Sequence, residues 1–212
     1  MSDPLLILAT RNVKKGREMI EILAPPWEPG APLSRFRLET LAAYPELPET
    51  IEDAESFAGN ARKKASEAAI VLKAWVVADD SGLAVDHLGG APGVYSARYA
   101  GTHGDDDANN RKVLDALANV PDDERGAAFV CALAVADPHG AIVLEAEGRC
   151  RGRITREIHG PGGFGYDPLF LIREYHKTFG ELGPIVKHQL SHRARAFAIL
   201  KPQLERLVVR MK

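Results

Sequence analysis

Apolar residues in this chain alternate between short dense runs and longer, evenly spaced stripes. Leu5-Leu-Ile-Leu-Ala9 is a continuous apolar run, the pattern of a buried strand. From Val13 to Leu23 the spacing becomes helical, with Met19, Ile20, Ile22 and Leu23 on or near one face. A weak strand over Phe36–Leu41 precedes a helix over Phe57–Lys73. In that helix Ala61, Ala65, Ala68 and Ala69 form a slim side opposite Asn60, Lys63 and Lys64. Trp75–Ala78 is a short strand that runs into Asp79 and Asp80. A turn at Ser81-Gly82 and a brief strand over Leu83–Val85 come next. Ala108–Leu117 is a helix, and Asp105–Asp107 are charges at its positive end. Ala127–Ala136 and Ala141–Gly148 flank the turn sequence Asp137-Pro-His-Gly140 and predict a hairpin. Arg149–Arg156 continues as an edge-like strand, Leu169–Ile172 is another strand, and a last helix runs to about Arg210. Leu190, Phe197, Leu200, Leu204 and Leu207 mark its apolar side. Strands alternating with helices predict an α/β fold.

Composition narrows this picture. A chain of 212 residues, 45% hydrophobic and 26% charged, is an ordinary globular domain or two small lobes with room for a proper core. The formal charge of −2 argues against a general nucleic-acid binder. Two cysteines, Cys131 and Cys150, make no disulfide framework and read as buried thiols, and no Cys/His set has zinc spacing. Leu5–Ala9 is too short for a signal-peptide core, and the longest uncharged apolar run, Ala127–Ala136, is about half a membrane span. The expectation is a cytoplasmic protein with no membrane partner. Residues 25–55 are rich in Pro, Glu and Gly and read as loop.

Candidate chemistry clusters at four places. Asp79 and Asp80 repel unless a shared proton or a cation relieves them, and a hard divalent metal is the usual relief; a solvated Asp-Ser-Gly turn is the plainer alternative. Thr10, Arg11, Asn12, Val13, Lys14 and Lys15 lie on a strand-to-helix turn, where backbone N–H groups and lysines favour phosphate, unless Thr10 or Asn12 simply caps the helix. Glu52 and Asp53 lie just ahead of Ser56, a candidate helix cap. Gly160-Pro-Gly-Gly-Phe-Gly-Tyr-Asp-Pro168 packs four glycines and two prolines around Phe164 and Tyr166, a loop able to offer a ring and backbone groups to a planar ligand. Lys187, His192 and Arg193 gather donors suited to carbonyl oxygens or phosphates at the start of the last helix, or else form a basic surface.

Four of these stretches together resemble one family, the inosine/xanthosine triphosphate pyrophosphatases. They are Ala9–Lys15; Ser56-Phe-Ala-Gly-Asn-Ala61 with Lys64; Ala78-Asp-Asp-Ser-Gly-Leu-Ala-Val85 through Gly89–Arg98; and Gly162–Pro168 with Ser191-His-Arg193. The resemblance implies a long curved mixed β-sheet flanked by helices, in two lobes with a central cleft, as one pyrophosphatase domain over residues 1–212. It also implies a Mg²⁺-dependent homodimer that converts dITP, ITP or XTP to the nucleoside monophosphate and pyrophosphate. Thr10–Lys15 and Lys64 would hold the triphosphate, and Glu52 and Asp80 would hold Mg²⁺ with Asp79 close by. Asp80 would accept the proton of the attacking water, and Ser81 would touch substrate. Phe164, Gly165, Tyr166, Asp167, Lys187, His192 and Arg193 would form the base pocket. The chain departs from the family at Ala54 and Gly59, where the family often has Gly and Glu, and in a long Pro/Gly segment near residues 25–35. Glu52 and Asp53 therefore both remain candidates for the second carboxylate.

Two other classes remain. A phosphatase with an Asp nucleophile would release inorganic phosphate, but its acids are usually separated by one residue, whereas Asp79 and Asp80 are adjacent. A non-catalytic nucleotide-binding module would not need both acids and the lysines.

Overall fold

The computed structural model describes residues 5–24 and 36–210. The Pro/Gly-rich stretch 25–35 lies outside the described residues. Seven strands form one mixed sheet in the order β2-β1-β3-β4-β5-β6-β7. They are β1 (Leu5–Leu8), β2 (Arg37–Thr40), β3 (Trp75–Val85), β4 (Gly126–Ala136), β5 (Ile142–Ile154), β6 (Phe170–Ile172) and β7 (Lys177–Thr178). The helices are α1 (Val13–Leu23), α2 (Phe57–Leu72), α3 (Asp106–Ala116), α4 (Pro184–Leu190) and α5 (His192–Arg210). β1 pairs in parallel with β2 and β3, whereas β6 pairs antiparallel with β5 and β7, so the expected mixed α/β sheet is present.

The chain divides into two compact units. One comprises residues 1–80, 131–148 and 193–212, and the other residues 81–130 and 149–192. In the first unit, strand alternation sorts the core onto two faces. Leu6, Leu8, Val77, Cys131, Leu133 and Val135 pack with Met19 and Leu23 of α1 and with Phe197, Leu200 and Leu204 of α5. Ile7, Ala9, Val76, Ala78, Ala132 and Ala134 pack with Ala61, Ala65, Ala68 and Ala69 of α2. Alanines on both partners let α2 lie close to the strands, which is what the slim side of this helix predicts.

In the second unit Leu83, Val85, Phe129, Cys150, Phe170 and Phe179 form the core with Val113 and Leu117. The buried Arg125 guanidinium donates to the carbonyl oxygens of Leu117 (2.5 Å), Ile154 (2.9 Å) and Thr155 (2.7 Å), which ties the end of α3 to β5. Such bonds satisfy carbonyls that the helix leaves open.

Three expectations about elements are corrected. Trp75–Ala78 and Leu83–Val85 are parts of one continuous strand, and Ser81-Gly82 is not a turn. Among the described residues β1 pairs with β3 only at Trp75–Val77, and β4 is the other neighbour in the sheet, beside which the turn-forming side chains yield to a longer strand. Likewise 142–154 is one strand, and its end is interior, since Arg153 and Ile154 pair with Leu171 and Phe170. Of its alternating arginines, Arg149 and Arg151 are exposed and Arg153 is half-buried. The terminal helix is two helices, broken at Ser191, whose extended backbone (φ −64°, ψ 158°) separates α4 from α5. Both cysteines are buried thiols outside any disulfide, as expected. Burial and the charge of Asp79 push the Cys131 thiol up to about 12, so it stays protonated at neutral pH. Among the described residues no helix is long and apolar enough to cross a membrane.

Candidate active site

Successive residues of a strand point to opposite faces, so Asp79 and Asp80 enter different surroundings although they are adjacent. Both are buried. Asp79 lies on the face of α1 and α5. Its Oδ2 accepts from the Arg193 guanidinium at 3.0 Å and lies 3.8 Å from Lys15 Nζ. Arg193, itself fully buried, also bonds Glu18 of α1. Burial alone would raise the Asp79 carboxyl, but the charges of Lys15, Arg193 and Lys64 outweigh it and hold it far below the usual carboxylate range.

Asp80 lies on the α2 face. Its Oδ2 accepts from Asn60 Nδ2 at 3.0 Å and its Oδ1 from Lys64 Nζ at 3.1 Å. The same ammonium donates to Glu52 Oε1 at 2.8 Å. Asn60 and Lys64 are four residues apart on α2 and so share a face. Asp80 and Glu52 thus share one lysine. Burial pushes the Asp80 carboxyl above its ordinary value; Lys64 opposes this, and Glu52 adds to it. For Lys64 the charges of Asp80, Asp79 and Glu52 outweigh a burial that would otherwise lower it.

The structure thereby separates two carboxylates that the sequence leaves equivalent. Glu52 reaches the Lys64–Asp80 pair, whereas Asp53 is mostly exposed and pairs with Lys63 at 2.7 Å. Glu52 and Asp80 come together, and Asp79 lies on the other face. Among the described residues no group of three or more His, Cys, Asp or Glu side chains is placed to hold a metal. That does not disfavour Mg²⁺, which commonly takes one or two carboxylates and completes its shell with water and substrate phosphates. Two hard oxygen donors brought together on one ammonium fit it.

The β1–α1 turn divides its residues between structure and open chemistry. Asn12 caps α1 by accepting from Lys15 N at 3.1 Å, and Thr10 Oγ1 accepts from Asn12 N at 3.2 Å. Arg11 turns back to the carbonyl oxygens of Tyr44, at 3.3 Å, and Leu47, and so braces the segment that leads to Glu52. Val13 and Lys14 are exposed at the head of the helix. The first-turn N–H groups of α1, with Lys15 beside them, remain the anion-favouring end.

In the second unit the glycine-rich loop is held from below. Gly163 and Gly165 adopt positive φ (77° and 59°), and a Cβ on Gly163 would strike the Asp167 side chain. Asp167, buried, accepts from Phe164 N at 2.8 Å and from Lys187 Nζ at 2.7 Å. Lys187 Nζ also sits 4.1 Å from the Phe164 ring centroid, a cation–π contact. Tyr166 is buried and donates to Ser96 O at 2.8 Å, so its hydroxyl anchors the loop. His192 stacks on Phe129 with ring centroids 4.9 Å apart. Ser81, half-buried, follows Asp80 in β3.

Sequence reasoning passed over three residues that position this site. Asp106 accepts from Gly165 N at 2.8 Å, and Asn110 donates to Gly165 O at 3.0 Å, so one turn of α3 grips both sides of a single residue. The i, i+4 spacing of these two polar residues is the available signal, but the acid run Asp105–Asp107 hides it. Asp105 does cap α3, accepting from Ala108 N at 3.0 Å, which fits helix-end charge; Asp106 does something else. Glu18, the second partner of Arg193, carries no signal in the sequence. The departures at Ala54 and Gly59 prove to be neighbours, because a Cβ on Gly59 would lie 2.8 Å from that of Ala54.

Comparison with known proteins bears on the family and the fold. Residues 6–203 match the model of the Ham1 family. A dITP/XTP pyrophosphatase of Rhodopirellula baltica is 54% identical over 203 residues, covering 96% of this chain and 94% of that protein. A solved HAM1 protein from Coxiella burnetii superposes with a TM-score of 0.83 at 35% identity, covering 96% of this chain and 99% of its own. A nucleoside-triphosphatase, or dITP/XTP pyrophosphatase, structure from Mycobacterium abscessus gives a TM-score of 0.73 at 44% identity, covering 93% and 99%. A family match over nearly the whole length, with relatives of this identity, means that the chain belongs to the Ham1 family.

Proposed function

We propose that this protein hydrolyses non-standard purine nucleoside triphosphates, dITP, ITP and XTP, to the nucleoside monophosphate and pyrophosphate. The observation that carries the reading is the pairing of Asp80 and Glu52 on one lysine, with the second oxygen of Asp80 held by Asn60. Mg²⁺ held by Glu52 and Asp80 would supply charge neutralisation at the phosphates. The other steps belong to side chains. Lys15, Lys64 and the first-turn N–H groups of α1 bind the triphosphate and offset charge that moves to the leaving pyrophosphate. Asp80 accepts a proton from the water as its oxygen bonds to the α-phosphorus and the bond to the bridging α–β oxygen breaks. Its raised affinity for a proton suits that task. Asp79 stays ionised in its bond to Arg193 and sets the charge beside Lys15.

For the base, Phe164 offers a ring and Lys187 a donor. A 6-keto purine accepts from that donor, whereas adenine presents its own amino donor and leaves both unsatisfied. Arg193, bonded through its two terminal nitrogens to Glu18 and Asp79, supports Asp79 in this reading and is not assigned to the base. A homodimer belongs to the same proposal, and sedimentation measures it.

Incubation with ITP and Mg²⁺ followed by product analysis tests the reaction. IMP with pyrophosphate supports it; IDP with inorganic phosphate makes the protein a phosphatase. Lys187→Met is expected to raise KM for ITP and XTP roughly 10- to 100-fold, while the weaker turnover of ATP changes little. Equal losses on all three nucleotides would move Lys187 to the phosphates.

A further inference from the structure

We infer that Asn60 is a positioning residue that sets Asp80 and the Glu52 segment against each other, so that the two carboxylates are presented as one site. The inference rests on the proposed function. Asn60 is fully buried on α2 and its side-chain amide is used at both ends. Oδ1 accepts from Ala54 N at 3.0 Å, and Nδ2 donates to Asp80 Oδ2 at 3.0 Å. The orientation of the amide is fixed by chemistry, because a backbone N–H can only donate and an ionised carboxylate can only accept. No other uncharged side chain of this size offers an acceptor and a donor in that order; a glutamine would be a methylene too long for a fully buried position.

Three consequences follow from the geometry. The Ala54 N–H anchor lies two residues after Glu52, so the amide fixes the loop that delivers the second carboxylate. With Asn60 on Oδ2 and Lys64 on Oδ1, the two Asp80 oxygens are distinguished. The donated bond also holds the carboxylate plane in one orientation, as partners behind a ligating carboxylate do. Finally, the anchor depends on close approach of the Ala54 and Gly59 backbones. A Cβ on Gly59 would come within 2.8 Å of Ala54 Cβ and 3.2 Å of the capping Ser56 Oγ, and a methyl on the loop backbone cannot swing aside. The glycine just before Asn60 is thus part of the same device.

The test compares wild type with Asn60→Ala and Asn60→Asp. Ala removes both bonds, whereas Asp keeps an acceptor for Ala54 N–H and loses the donor to Asp80. Three quantities are read: the melting temperature without metal, the Mg²⁺ concentration giving the half-maximal rise in melting temperature without nucleotide, and kcat and KM for ITP well below the melting temperature. Loss of about 10- to 100-fold in kcat with KM within a few-fold, together with a Mg²⁺ midpoint moved up by a similar factor, is the expected result. Should Asn60→Asp not fold, Asn60→Ala decides alone. Gly59→Ala provides an independent arm: it is expected to lower kcat and raise the Mg²⁺ midpoint, and Ala54→Gly in the same chain is expected to restore both. A folded Asn60 variant with kcat and Mg²⁺ midpoint within twofold of wild type, even if its metal-free melting temperature is lower, overturns the inference and leaves Asn60 as scaffold only. Wild-type protein that releases inorganic phosphate from ITP instead of pyrophosphate overturns the proposed function, and this inference with it.

Discussion

Asp80→Asn is expected to lower kcat for ITP by about 10²- to 10⁴-fold while the protein remains folded. The amide has the shape of the carboxylate, so one of Asn60 and Lys64 keeps an oxygen acceptor while the other faces the new NH₂, and the strand ladder of β3 is untouched. What disappears is the proton acceptor and one hard anionic oxygen of the Glu52–Asp80 pair. Steady-state kinetics beside a thermal melt separates the two effects. A kcat near wild type in a folded variant would remove Asp80 as the base. Asp79→Asn is the informative companion, because Asp79 points to the other face and meets Arg193; its replacement should disturb stability before chemistry.

Arg193→Ala should be the most damaging change to stability. Its guanidinium is fully buried and bonds two carboxylates, Asp79 and Glu18, from β3 and α1. Removing one member of a buried ion pair strands the other charges away from water and typically costs about 3–5 kcal/mol. The dependence on pH has a definite sign. The folded protein holds Asp79 well below its unfolded value, so this carboxylate contributes stability that is present above about pH 4 and is lost as pH falls through the depressed value. In the variant, Asp79 has lost a main cause of that depression. The stability gap between wild type and variant is therefore largest near neutral pH and narrows in acid. Urea unfolding at pH 7 and at about pH 2.5, below the unfolded carboxylate's range, measures both points. A gap below about 1 kcal/mol at pH 7, the range of an exposed pair, would mean that water reaches this network.

Arg193 also shows why residue type alone misleads. Beside Lys187 and His192 in the sequence it reads as one donor among three for a nucleotide. In the fold, Lys187 enters a pair with Asp167 under the Phe164 ring, while Arg193 begins α5 and turns to Asp79. Nothing local separates them; the break at Ser191 does, because it starts a new helix between the two residues.

Local pattern was enough for several things. Apolar runs and helical stripes located β1, α1, α2 and β4 nearly to the residue, because each buries a regular face and burial imposes its own period. The alanine side of α2 announced close packing against small strand residues. The spacing of Asn60 and Lys64 put both on one face, and motif order along the chain pointed to the family. Tertiary structure decided the rest. That β3 runs unbroken through Ser81-Gly82 depends on its place in the sheet beside β4, not on the turn propensity of its own residues. Continuity of that strand sends Asp79 to Arg193 and Asp80 to Lys64, and the choice of Glu52 over Asp53 follows from where the loop is pinned by Asn60. Pairings across such sequence distances depend on how strands and helices are brought together in space, and no neighbouring residue encodes that.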